Sequence, residues 1–160
     1  MRGANLSDAN LSNTNLSYVI LYGANLYGAN LRRANLYDAD LYGANLSYAN
    51  LPGTNLRKAT LSHANLEGAN LSCASICHAD LSKANLSHTD LTNADMTCAD
   101  LNGVNLSHAR LFGTDLSGAH LPAPTMVLLA SWNHVSAVLC ADLMEYDASG
   151  HPDRDRKSVV

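Results

Sequence analysis

At 160 residues and 17.0 kDa the chain has room for one domain and a short appendage. Apolar residues make up 47% of it, yet Phe and Trp occur only once each, so its core must be built from small and aliphatic groups. Charged residues are 15% and the formal net charge is -4, which excludes both a broad basic footprint for nucleic acid and an acidic polyelectrolyte.

Met1-Arg2 runs straight into repeat sequence without an apolar h-region, so no signal peptide is expected. The four cysteines (Cys73, Cys77, Cys98, Cys140) form no CxxC pair, which points to a reducing, cytoplasmic setting. From Leu6 to Leu121 every fifth residue is Leu, except Ile76 and Met96, giving 24 positions in register without an insertion. Two residues before each stands a small residue: 18 Ala, 4 Thr (Thr14, Thr54, Thr89, Thr114) and 2 Val (Val19, Val104). Between them 13 positions are Asn and 6 are Asp, so the unit reads Ala-Asn-Leu-x-x.

A period of five suits neither standard element. On an α-helix five residues advance about 500°, and the leucines would wander around the cylinder. On a straight strand five is odd, and successive leucines would alternate faces. A short extended segment followed by a turn, repeated, keeps Ala and Leu inward throughout. Asn or Asp beside them suits tight turns, because their side chains bond nearby backbone groups.

This register resembles the pentapeptide-repeat family over about residues 3–123. The resemblance implies an all-β solenoid, a right-handed quadrilateral parallel β-helix with four pentads per coil. It also implies that the central Leu and the small residue point inward while the other three positions face solvent. About six coils are expected, a rod of roughly 29 Å. Ile76 and Met96 lie 20 apart and would stack; Asn5, Asn25, Asn45, Asn65, Asn85 and Asn105 would form one ladder.

The β-helix is assigned to 1–123. Pro122 and Pro124 end the register. A capping segment is assigned to 124–152, with an amphipathic helix over about 131–147 carrying Trp132, Val135, Leu139, Leu143 and Tyr146 at helical spacing. The tail 153–160 is expected to be disordered. At the other end, the open edge beginning Gly3-Ala4-Asn5-Leu6 is expected to pair with a second copy or another protein, or else to continue from a longer chain.

Six of the seven tyrosines (Tyr18, Tyr22, Tyr27, Tyr37, Tyr42, Tyr48) fall within 31 residues at outward positions, and form the candidate interaction surface. Shielding of neighbouring Gly23, Gly28 and Gly43 would be a purely structural use of the same residues. Residues 1–61 hold five basic and three acidic side chains, residues 62–121 two basic and six acidic. Asp80 with Asp100 and Asp95 with Asp115 should stack as an acidic patch. Some members of the resembled family mimic DNA on gyrase, which makes that patch the alternative site, although Arg32, Arg33, Arg57 and Lys58 interrupt it in the earlier coils.

Cys77, His78 and Cys98 share one expected face, but their spacing matches no standard metal motif, so no metal is assigned. His88 and His108 would stack, and read as solvated surface. No phosphate loop, nucleophile–base arrangement or paired carboxylates are present, so neither catalysis nor a cofactor is expected. Nor do the outward rows supply the flat threonine ladder that ice binding needs. The expectation is a non-enzymatic scaffold for an unidentified protein partner, with a homodimer through a solenoid end as an option and neither nucleic acid nor membrane as a direct partner.

Overall fold

The computed structural model describes residues 1–121; Pro122, Pro124, the expected cap over 124–152 and the tail over 153–160 lie outside the described residues. Each pentad closes a β-turn in which the central residue accepts from the N–H three residues on, as in Ala9 N to Leu6 O at 3.1 Å. The residue two after the centre has φ between 54° and 70° in every pentad from Gly3 to Gly118. Fifteen of these residues are not glycine. With only the third turn residue at positive φ, the turn is of type II.

Twenty parallel bridges link residues 20 apart, from Asn5–Asn25 to Asp100–His120. Four pentads therefore make one coil (2–21, 22–41 and so on to 102–121), with four faces. We number the faces by their first central residues: Leu6, Leu11, Leu16 and Leu21. Ile76 and Met96 lie together on the third face, in consecutive coils.

The backbone accounting explains the repeat. The central N–H donates to the next coil (Leu6 N to Asn25 O, 2.7 Å), as does the N–H two on (Asp8 N to Tyr27 O, 2.8 Å). The residue before the centre donates to the preceding coil (Asn25 N to Ala4 O, 2.9 Å). Among the described residues of the inner coils, only the N–H just after the centre has no backbone acceptor. The Asn or Asp before the centre fills that gap with its Oδ1, as Asn45 does for Ser47 at 3.2 Å and Asp80 for Ser82 at 2.9 Å. Buried or half-buried donors need such partners, and these side chains supply them locally. The asparagines also bond each other along the rod, as in Asn55 Nδ2 to Asn35 Oδ1 at 2.9 Å.

From Leu21 to Leu101 every central residue is at most 1% exposed. Burying one such Leu contributes about 1.5–3 kcal/mol, so the interior is wholly given to stability. The threonines in the small-residue rows are compatible with burial because their hydroxyls donate to main-chain carbonyls, Thr54 to Leu31 O at 2.8 Å and Thr89 to Leu66 O at 3.1 Å. One expectation is corrected. Ser47, Ser62, Cys77 and Ser87, all just after a centre, are buried rather than facing solvent. Their side chains are short, and longer neighbours in the same column, such as Tyr27 and Glu67 on either side of Ser47, overtop them.

The row at positive φ contains no Val, Ile, Thr or Pro. A left-handed conformation is worst for a β-branched residue and costs Gly nothing. His63→Val is therefore expected to lower stability by about 1–2 kcal/mol, and His63→Gly to leave it unchanged or slightly higher; urea denaturation of the two variants checks this.

Candidate interaction surface

All six tyrosines described form pairs, and stacking of the coils is the cause. On the fourth face Tyr22 and Tyr42 follow their centres in consecutive coils, with rings 5.1 Å apart and 5° from parallel. The Arg2 guanidinium lies 5.7 Å over Tyr22, and His63 sits 5.3 Å from Tyr42 on the other side. Arg2, Tyr22 and Tyr42 share one column, which continues at Ser62, and His63 reaches Tyr42 diagonally from the neighbouring row. On the first face Tyr27 meets Tyr48 edge-on at 5.7 Å; on the third, Tyr18 meets Tyr37 edge-on at 5.6 Å. Lys58 Nζ lies 5.7 Å over the Tyr37 ring, and its hydrogen bond with the Tyr37 hydroxyl raises the Lys58 pKa above its ordinary value.

Such pairs stabilise the coils by about 0.5–1.5 kcal/mol each, yet they leave much aromatic surface in solvent. Tyr18 is 67% exposed and Tyr48 58%, and Tyr22 and Tyr27 remain near 45%. Tyr37 and Tyr42 are half-buried. The belt covers three of the four faces; the second carries Arg32, Arg33 and Pro52 there instead. Tyr48 also lies against Gly68 one coil on, where a Cβ would come within 2.7 Å of its ring. A Cβ at Gly28 would meet the Asp8 carboxylate, whereas one at Gly23 or Gly43 would meet nothing within 4 Å beyond the chain neighbours.

The acidic residues fall where expected, Asp80 and Asp100 bridged on the fourth face, Asp95 and Asp115 on the third. Each uses Oδ1 as a turn acceptor, Asp100 for the Asn102 N–H at 3.0 Å and Asp95 for the Thr97 N–H at 3.1 Å. Burial pushes the Asp80 carboxyl up, but the hydroxyl and N–H of Ser82, the Ser62 hydroxyl and nearby His63 outweigh it, and the net shift is downward. Asp90 behaves alike through Thr92 and Arg110, whose Nη1 is 3.3 Å from Asp90 Oδ2. The Ser117 hydroxyl and N–H hold Asp115 low against a lesser effect of burial.

Carboxyls depressed in the folded state stabilise it at pH values above their unfolded value, about 3.9. That contribution is lost as pH falls through the lower folded values. The melting temperature is thus expected to drop steeply below about pH 4, and Asp115→Asn to flatten part of that drop in a calorimetric pH series.

Cys77 does not share the outward face with His78 and Cys98: it is buried, with Sγ 3.9 Å from Ser75 Oγ. Among the described residues no group of three or more His, Cys, Asp or Glu is placed to hold a metal ion. His88 and His108 stack at 4.8 Å, both exposed.

The family described as Pentapeptide repeats matches the chain in eight copies, over residues 1–33, 34–72, 69–107 and 79–118. No curated protein sequence matches it. Among solved structures it is similar to HetL, a pentapeptide repeat protein involved in heterocyst differentiation regulation in the cyanobacterium Nostoc sp. strain PCC 7120. The identity is 36% over 76% of this chain, with a TM-score of 0.49, and the chain spans 61% of the length of HetL. A pentapeptide repeat protein of the Arabidopsis thaliana thylakoid lumen is 26% identical over 89% of this chain and 85% of its own, with a TM-score of 0.46. Full-length QnrB1, a plasmid-mediated fluoroquinolone resistance protein, is 19% identical over 81% of this chain and 84% of its own, with a TM-score of 0.29. The registered pentads, the 20-residue coil and the matched repeats make this chain a member of the pentapeptide-repeat family, whose fold is the right-handed quadrilateral β-helix.

Proposed function

We propose that the chain is a non-enzymatic, cytoplasmic scaffold that binds a protein partner through the tyrosine belt of residues 2–61. The observation that carries this reading is the set of three tyrosine pairs on three faces, ordered by the fold and still exposed. Ordered aromatics lose little entropy on binding and serve well as interface anchors. The same reading keeps 124–152 as a cap on a rod of about six coils. The last central residues, Leu111 at 6% and Leu121 at 9% exposed, are the ones such a cap would cover. The test is affinity capture with the full chain and identification of the bound protein. Reconstitution from two purified components follows, comparing the wild type with Tyr22→Ser/Tyr27→Ser/Tyr42→Ser.

A second reading rests on the acidic rows of residues 62–121, whose aspartates keep one oxygen free of turn bonding. It makes the chain an effector of DNA gyrase. Titration into a supercoiling assay, with and without a quinolone, tests it. Neutralising Asp80, Asp95, Asp100 and Asp115 should then abolish any effect, and added salt should weaken it.

A further inference from the structure

The basic side chains of the early coils are arranged around one face. Arg32 and Arg33 occupy the turn that leads into the third face, and Arg57 and Lys58 the turn that leaves it. Between them the strip is polar and level, with Asn15, Asn35 and Asn55 bonded along its middle by Nδ2 to Oδ1 contacts of 3.2 and 2.9 Å. All four cations are exposed, and none forms an ion pair among the described residues. The Arg33 stem lies along the second face, its Cγ 3.6 Å from where a Cβ on Gly53 would stand. Neither turn holds a carboxylate. Asp38, one coil before Lys58 in the same row, is the one carboxylate in the turn columns on either side of this face within residues 2–61, so four positive charges less one leave a local balance of +3.

Exposed cations without an ion-paired carboxylate, on both edges of a polar strip, fit a ligand that carries negative charge along an extended line. A nucleic acid is the less suitable ligand. Of the two tyrosine rings that border the strip, Tyr37 has a face covered by Lys58 and Tyr18 alone stays open, at 67% exposed, too few for a run of stacked bases. Bases that stack on aromatic rings need such faces free. Carboxylates instead meet Arg guanidinium groups in bidentate, charge-assisted bonds.

We infer that the third face of residues 2–61 binds an extended acidic polypeptide segment, its carboxylates held between Arg32 and Arg33 on one edge and Arg57 and Lys58 on the other. This rests on the scaffold reading and names the chemistry of its partner. Three coils at about 4.8 Å offer a strip some 14 Å long, or about four extended residues.

The test is fluorescence anisotropy of the full chain with a labelled oligo-L-glutamate of about ten residues, which exceeds that strip. A single-stranded oligo-dT of matched charge serves as the competing polyanion. The glutamate probe should bind, weaken at least tenfold with Arg32→Ala/Arg57→Ala, and weaken with added salt. Asp95→Asn/Asp115→Asn should leave binding unchanged or tighter. Arg32, Arg57 and Asp115 are exposed and Asp95 is half-buried, and an unchanged melting temperature confirms that the fold survives the substitutions. Absence of probe binding, equal binding by the arginine variant, or equal or tighter binding of oligo-dT overturns the inference. If the tyrosine-dependent complex then still forms, only the acidic ligand is withdrawn; if that complex fails too, the scaffold reading falls with it.

Discussion

Ser75→Pro is expected to unfold the rod, while Ser72→Pro, three residues away, is expected to leave it folded. Ser75 stands before its centre and donates its N–H to Thr54 O at 2.9 Å, one of the bonds that hold consecutive coils together. Proline there removes the donor and sets its ring against the adjoining coil, at a cost of about 3 kcal/mol or more. Coils share their bonds with both neighbours, so the loss propagates along the stack. Ser72 stands just after its centre, where the N–H bonds only the Asn70 side chain at 3.0 Å. Position two of a type II turn favours proline, and Pro52 already occupies the corresponding place directly below Ser72. Circular dichroism melts of the two variants give the comparison. Loss of the cooperative transition is expected for position 75 only, and similar behaviour of both variants would contradict the hydrogen-bond assignment.

That contrast marks where the repeat was legible and where it was not. The Ala and Leu rows declare themselves, because their spacing of two and period of five admit one inward-facing arrangement. The 20-residue coil was also foreshadowed, by Ile76 with Met96 and by the asparagine ladder from Asn5 to Asn105. Less visible was the division of labour among the polar positions. Asn and Asp read as turn residues in their own right, yet the turn is made by the row three positions on, in which Tyr18, Arg33, Lys58 and Cys73 adopt positive φ. The signal was available as nine glycines in that row and the absence of any β-branched residue. Asn and Asp instead cap a donor that the coil geometry leaves over, which becomes apparent only when every N–H has been followed to its acceptor.

The tyrosine belt shows the same limit. A rule of 20 finds Tyr22 above Tyr42 but misses Tyr27 with Tyr48 and Tyr18 with Tyr37, which pair diagonally between the two turn rows. Likewise Cys77 counts as outward by position, yet its small side chain is covered by the column around it. Long side chains reach across rows and short ones sink beneath them, and neither effect is encoded in spacing alone.

The second large effect concerns binding. Removing the rings of Tyr22, Tyr27 and Tyr42 deletes members of two of the three pairs, and with them the ordered aromatic area on the fourth and first faces. Interface anchors of this kind cost 2 kcal/mol or more when truncated. The partner's affinity is therefore expected to fall at least about a hundredfold, equivalent to about 2.7 kcal/mol. The core stays untouched, because every central Leu beneath remains buried. Loss of aromatic pairing lowers the melting point modestly, and the variant remains folded at the assay temperature.

The most direct measurement is the dissociation constant of the reconstituted complex for the wild type, for Tyr22→Ser/Tyr27→Ser/Tyr42→Ser and for a variant with Asp80, Asp95, Asp100 and Asp115 changed to Asn. The scaffold reading predicts that the tyrosine variant loses binding while the aspartate variant keeps it. Retained binding by the folded tyrosine variant, with loss in the aspartate variant, would contradict that reading and move the functional surface to residues 62–121.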